Sequence, residues 1–461
     1  MAEISLVPSD EINDAARWDA EAFSPVLRKL ETDFKKYPRL HQLATVTHPS
    51  EIPRIYSTED QGKPFLLAQN IRPVLPNMSH TFFVPAETYN SIPLNRLRTD
   101  DVLITRSGAN SGASCVYLGK SGEAYTSGEG LIVRSLGDIN GAYLTVFFNT
   151  IYGALLCRRA IYGSGQPHIS PKYLERIPVP RLGKIEGRVA DLVINAYRKI
   201  IDAINYYPDA ETELLERIGW AKLAGKQLEL SYVEKFNIMQ KQGRYDAEYF
   251  HPQYKRLQRH LLKMNAKQIA SFCPVTTRGI QPEFVESGDV LVIDSKAVRP
   301  QGVDPSLADR TSSTFYNQVS TKKARLREGD VLLNSTGRGT LGRATFYNLA
   351  EKAIADNHVA IIRPDQSVCL PEYLSLFLNS PAGLAQSDMF QTGSSGQLEL
   401  YPQHIMLFLI YIPTNKNGLI DLEWQKKLAH KVTQANNAKS EAQAVLDKAK
   451  KIVEDSINAS I

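Results

Sequence analysis

The chain has 461 residues, 43% of them hydrophobic and 22% charged, and 54 Lys and Arg against 49 Asp and Glu give a net charge of +5. These proportions describe a globular protein with ample core and leave no room for a disordered chain. The mildly basic balance permits nucleic-acid binding without demanding it. Residues 14–35 read as a helix, with Phe23, Leu27, Leu30 and Phe34 on one face. Residues 40–180 change to short β-rich runs punctuated by Gly, Pro, Asn and Ser: Pro64–Leu67, Val102–Thr105, Ser114–Leu118 and Gly130–Val133. A helix over Tyr143–Arg159 and the run Ile177-Pro178-Val179-Pro180 close this stretch.

A long helical pattern follows. Val189, Val193, Ala196, Ile200, Ala203 and Tyr207 repeat at 4,3,4,3,4, the seam of a coiled coil. Pro208 interrupts it, and helix resumes from Asp209 to about Lys222. Acids at this helix start (Asp209, Glu211, Glu213) are favoured by the helix dipole and make no nuclease site. From Arg244 the plan starts again, with strand runs at Asp289–Ile293, Asp330–Leu333, Ala344–Tyr347 and His358–Ile362, a helix at Glu372–Asn379, and Leu409–Pro413 as the closing run. Leu428, Val432, Ala435, Ala438, Ala442, Val445, Ala449 and Ile452 then repeat at 4,3,3,4,3,4,3.

The two halves are copies. Arg17-Trp18-Asp19-Ala20-Glu21-Ala22-Phe23-Ser24-Pro25 returns as Arg244-Tyr245-Asp246-Ala247-Glu248-Tyr249-Phe250-His251-Pro252, an offset of 227 residues. Asp101-Val102-Leu103-Ile104 returns as Asp330-Val331-Leu332-Leu333 at an offset of 229, and Val193, Ala196 and Ala203 return as Val432, Ala435 and Ala442 at 239. Two similar modules suggest a target with two similar parts. The expected division is an N-terminal helical segment at 1–35, a first module at 36–182, a long-helix region at 183–235, a second module with its leading helix at 236–415, and a C-terminal long helix at 416–461. The expected fold class is α+β, with two repeated α/β modules joined by two long antiparallel coiled-coil helices in pseudo-twofold symmetry. A helix over 187–207 is about 32 Å long, close to the roughly 34 Å of one turn of B-DNA.

Catalytic patterns are absent. Six residues separate Gly112 from Gly119-Lys120-Ser121, where a phosphate loop has four. There is no GxSxG, no HExxH, and no Asn-Pro-Pro-aromatic tetrapeptide of an amino-methyltransferase. Cys115, Cys157, Cys273 and Cys369 form no CxxC pair and no zinc spacing, so no metal is expected and they read as reduced, buried thiols of a cytoplasmic protein. The first ten residues lack a basic start and an apolar run, and no run of about 18 apolar residues occurs, so neither a signal peptide nor a membrane span is expected.

What remains is polar loops in matching places. Thr105–Asn110 corresponds to Asn334–Gly339, Gly163-Ser164-Gly165-Gln166 to Ser394-Ser395-Gly396-Gln397, and Ile71-Arg72-Pro73 to Val298-Arg299-Pro300. Arg, Asn, Gln and Ser carry the donor and acceptor geometry that reads base edges. The candidate DNA-contacting residues are Arg72, Arg106, Ser107, Asn110, Arg158, Gln166, His168, Arg299, Asn334, Thr336, Arg338 and Gln397. Arg158, Arg159, Lys322 and Lys323 are placed to meet phosphates. Asp101 and Asp330 read as residues that fix a strand start. The frame points repeat while the residues between them differ, as expected if each module reads a different word.

Taken together, the chain resembles a specificity subunit of a type I restriction-modification system over nearly its whole length. The resemblance rests on two modules alternating with two long helices, the Arg-aromatic-Asp-Ala-Glu opening segments, the Gly329-to-Gly337 run, and the Gly-Ser-Gly-Gln to Ile-Pro exit. It implies a non-catalytic chain that chooses a bipartite DNA sequence. It also implies partners: two modification subunits that methylate adenine with S-adenosylmethionine, and restriction subunits using ATP and Mg, so that no cofactor sits on this chain. Val193, Ala196, Ile200, Ala203, Val432, Ala435, Ala442 and Ala449 would belong to the partner-binding rod. The same architecture would also serve a type II-like methylation and cleavage system, and a duplicated protein-interaction adaptor is the reading from another class.

Overall fold

The computed structural model describes residues 6–7, 9, 23–52, 55–78, 81–108, 110–162, 167–224, 232–337, 339–393 and 398–461. It divides into two units: Met1–Ile201 with Lys439–Ile461, and Asp202–Ala438. The unit boundaries fall between Ile201 and Asp202 and between Ala438 and Lys439, within long helices.

In the first unit four antiparallel strands lie in the order Ala44–Thr47, Gly130–Ser135, Asp101–Thr105, Ser114–Tyr117. The second unit has the same order: Val275–Arg278, Val359–Arg363, Val331–Asn334, Ala344–Phe346. Register repeats as well, Val102 pairing with Val133 and Val331 with Ile362. Each unit adds a three-stranded sheet whose middle strand has one antiparallel and one parallel neighbour. In the first unit the order is Phe82–Pro85, Gly62–Leu66, Tyr125–Thr126. In the second it is Asp309–Thr311, Val290–Ile293, Ala353–Ala355.

Every residue of Asp101–Thr105 and Val331–Asn334 is buried. Val102 and Ile104 pack among helix residues such as Tyr143 and Phe147, while Leu103 packs the other way among Leu66, Ile71 and Ile132. A strand covered on both faces needs no polar alternation, which is why these runs read as unbroken apolar segments.

The aspartate that opens each central strand is structural. Asp101 takes Arg134 Nε and Nη2 in a two-point grip, both at 2.7 Å, and also accepts from the Arg98 amide at 2.6 Å. Asp330 does the same with Arg363, at 2.6 and 2.8 Å, and with the Arg327 amide at 2.9 Å. Each carboxylate is 1% exposed. The residue just before it turns the chain with positive φ: Gly329 at 86° in one unit, Asp100 at 74° in the other. Asp100 offsets that strain by accepting from the Gly141 and Ala142 amides at 2.7 and 3.2 Å, at the start of the next helix.

The single helix expected over Tyr143–Arg159 is two, Gly141–Phe148 and Ile151–Arg159. Thr150 breaks it by capping the second helix through the Gly153 amide, a local hydroxyl–backbone bond that competes with continued helix. The second unit repeats the break with Pro371–Asn379 and Pro381–Phe390, Ser380 standing where Thr150 stands. The side chain of Asn149 spans to the carbonyls of Ser114 and Thr145, and Asn379 to those of Ala344 and Ser375.

Three long helices follow the sheets: α1 (Lys184–Ala203), α2 (Tyr206–Arg217) and α3 (Leu422–Asn458). Pro208 sits in the first turn of α2, where its missing N–H costs nothing. Its ring excludes the carbonyl four residues back, at Ile204, and the chain breaks there. In the first unit Val189, Val193 and Ala196 of α1 are buried with Ala442, Leu446, Ala449, Val453 and Ile457 of α3, and Lys199 pairs with Glu441 at 2.5 Å. In the second unit α2 lies antiparallel to the first half of α3. Glu213 pairs with Lys427 and Lys431, and one turn on, Arg217 lies over the Trp424 ring.

The seam of α3 differs from the expected one. Leu446 and Val453 are buried, while Val445 and Ile452 are only partly so. Leu428, Val432, Ala435, Ala442 and Ala449 are buried as expected, and the departure lies at Leu446 and Val453, each one residue beyond the expected position. The seam residues Val193, Ala196, Ala203, Val432, Ala435, Ala442 and Ala449 are all buried within the chain, and Ile200 is half-buried. Val193, Ala196, Ala442 and Ala449 pack within the first unit, and Val432 and Ala435 within the second.

Burial raises the Glu213 carboxyl, but hydrogen bonds from Lys427 and Lys431 outweigh it and hold the group below its ordinary 4.5. Its contribution to stability is therefore full above that value and fades as pH falls through the lower folded value. Wild type should melt above Glu213→Gln near neutrality, with the gap closing as pH falls below the ordinary 4.5 of a glutamate. A gap that stays constant as the pH is lowered would contradict the pairing.

Candidate nucleic-acid interface

The central strand of each unit runs out into a loop held by the same three backbone bonds. In the first unit Arg106 N donates to Glu129 O at 2.7 Å, Ile169 N to Arg106 O at 2.8 Å, and Gly108 N to Pro167 O at 3.2 Å. In the second, Ser335 N donates to His358 O at 2.9 Å, Leu400 N to Ser335 O at 2.8 Å, and Gly337 N to Leu398 O at 3.3 Å. These bonds make Glu129 equivalent to His358, and they place His168 where the second unit has Glu399. The isolated bridges agree: Ser107 pairs with His168, and Thr336 with Glu399.

On this shared frame each loop hydroxyl holds an imidazole. Ser107 Oγ lies 2.8 Å from His168 Nδ1, and Thr336 Oγ1 lies 2.7 Å from His358 Nδ1. Tyr162 flanks His168 with ring centres 6.1 Å apart. In the second unit Arg278 Nη2 donates to Glu399 at 3.3 Å. Hydrogen bonds from Tyr401 and Arg278 keep the Glu399 carboxyl below its usual range.

Asn110 and Arg158, both exposed, line an open cavity of 420 Å³ together with Ser111, Gly112, Asn149 and Ile161. Arg106 is half-buried, and its Nε is buried with no hydrogen-bond partner among the described residues. Arg72 is half-buried and donates back to the Ile71 carbonyl at 3.2 Å. Arg299 follows Val298 in a short hairpin; burial of Arg343, with the Arg299 charge beside it, lowers the Arg343 guanidinium from its ordinary value. Lys322 and Lys323 are exposed on a 3₁₀ turn.

Two expectations are corrected. Asn334 is fully buried and donates Nδ2 to the Ser295 carbonyl at 3.0 Å, so it braces the loop from inside and offers no edge to a ligand. Arg159 is 5% exposed and paired with Glu31, which removes it from any phosphate-facing surface. Gln166, Arg338 and Gln397 lie outside the described residues, as do the two Gly-Ser-Gly-Gln-type loops and Arg17–Ala22.

Sequence reading missed His358, Glu129, Glu399 and Arg278. A signal was present: carrying the alignment of Gln166 with Gln397 two residues further sets His168 against Glu399. All four cysteines are free and buried. Among the described residues no His, Cys, Asp and Glu group could hold a metal ion, and no helix is long and apolar enough to cross a membrane.

Fold and site together define a duplicated α+β protein whose two matched loop corners carry unlike polar side chains. No protein-family model matches the chain, and no curated protein does. Among solved structures it is similar to the S subunit of a type I restriction-modification system from M. genitalium, at 8% identity and a TM-score of 0.44, covering 92% of this chain and 96% of that one. It is also similar to the HsdS subunit from Thermoanaerobacter tengcongensis, at 13% identity and a TM-score of 0.29, covering 92% and 97%. A chain from a structure on complex assembly and conformational transition of the type I R-M system gives 13%, 0.29, 92% and 98%.

Proposed function

We propose that this chain is the DNA specificity subunit of a type I restriction-modification complex. It recognises a bipartite target, positions two modification subunits that methylate adenine, and through them the restriction subunits. The observation that carries this reading is the doubled frame with unlike contents. Sheet order, register, the Asp–Arg grip and the loop backbone bonds recur in both units, while the side chains held at the loop corners differ. A duplicated scaffold with divergent polar loops suits a target of two unlike halves.

In this reading the paired long helices act as the ruler and as the scaffold on which the partners dock. Exposed basic residues such as Arg158, Lys322 and Lys323 fix register on phosphates, and the loop corners test bases in the major groove. S-adenosylmethionine, ATP and Mg belong to the partner subunits, and the setting is the cytoplasm. The test is duplex binding by the chain assembled with its modification subunits. Affinity should fall steeply with salt, by roughly a thousandfold or more between about 50 and 200 mM. Salt-independent binding, or none, would point to the adaptor reading instead.

A further inference from the structure

The two units hold a histidine at the same corner by different routes, and that exchange has a functional reading. Position 129 is Glu where the second unit has His358, and position 168 is His where the second unit has Glu399. Despite the exchange, each corner ends in a hydroxyl bonded to an imidazole Nδ1, at 2.8 Å in one and 2.7 Å in the other. A surface corner under no constraint would have no reason to keep one His, one Glu and one hydroxyl through a swap of positions.

The bond to Nδ1 fixes the ring and leaves Nε2 as the nitrogen that a ligand can meet. His358 is exposed and His168 half-exposed, so both rings are reachable. We infer that His168 and His358 are specificity-determining residues, each contacting the DNA half-site of its own unit. The exchanged Glu129 and Glu399 contribute to making the two half-sites unlike. A carboxylate accepts from the cytosine amine, whereas an imidazole N–H donates to guanine or phosphate acceptors. Moving both between two corner positions therefore changes which base edges are matched. This rests on the DNA-specificity reading above.

The test uses the full chain co-expressed with its modification subunits in a host without adenine methylation, reading the methylated motif and the methylated fraction at each site. His168→Asn retains an amide able to bond Ser107 but removes the reach of Nε2. His358→Asn does the same at Thr336. Each variant should lower methylation at the parent motif about tenfold or relax one base position, in one half-site only and in a different half for each variant. Ser107→Ala, which frees the ring without shortening it, should produce a weaker change in the same half as His168→Asn. Recovery of the assembled complex at wild-type yield separates loss of contact from loss of fold. Unchanged motifs with methylation within about twofold of wild type, in complexes that assemble normally, would overturn the inference while leaving the specificity reading standing. Changes spread over both halves would overturn it too. A wild-type complex that writes no split motif would sink both.

Discussion

Adding seven residues between Ile201 and Asp202, and seven more between Ala438 and Lys439, is expected to abolish methylation at the parent motif. In its place should appear a motif with the same two half-sites and a longer unread gap. The insertions fall where the chain passes from one unit to the other. Seven residues return the seam to the same face of each helix, so α1 and α3 keep their apolar pairing. They add about 10 Å of helix, or about three base pairs at roughly 3.4 Å each. Because the duplex also turns over those base pairs, the new motif should be written less completely than the old one. Four inserted residues, which rotate the seam off its face, should yield no motif. If the heptad insertion altered the bases within either half-site, the helices would not be acting as a spacer.

Asp330→Ala is expected to destabilise the second unit by about 3 kcal/mol. The carboxylate is 1% exposed and accepts both Arg363 nitrogens and the Arg327 amide. Its removal leaves a guanidinium only a quarter exposed, at 25%, and an amide with no acceptor. Breaking a buried pair on one side costs more than the pair contributes, because the remaining charge keeps its desolvation penalty. Asp330→Asn keeps one acceptor and should cost less. Asp101→Ala should cause a similar loss in the first unit, since the geometry there is the same. Denaturant unfolding resolves this: each variant should lower the midpoint of one transition and leave the other in place. A change below about 1 kcal/mol would mean that the strand start is held by the turn rather than by the ion pair.

The parts of the fold legible in the sequence are those fixed by local pattern. Three strands of each four-stranded sheet and the middle strand of each three-stranded one were visible as apolar runs, and the α1 seam because heptad spacing is strict there; the more polar edge strands Ala44–Thr47 and Val275–Arg278 were not. The helix break at Thr150 was invisible because the apolar face continues across it; a hydroxyl cap decided the matter. Alanine-rich helices carry little contrast between seam and flank, so Val445 and Ile452 were read into the α3 seam where Leu446 and Val453 are buried. At the loop corners Ser107 and Thr336 were found by aligning the two copies, and His168 was a candidate without its counterpart Glu399. His358 was missed because it opens a strand run and was read as its first residue. Asn334 was wrongly placed at a surface because strand ends and loop starts look alike in a sequence.

The most direct test of the central claim is a base-by-base map of methylated adenine in the host genome, with this gene intact and deleted. The account predicts that deletion removes one motif of two short specified halves separated by a fixed unspecified gap, and that returning the gene restores it. If every methylated motif survives deletion while the modification subunits are expressed, the chain does not choose DNA sequence and the account is wrong.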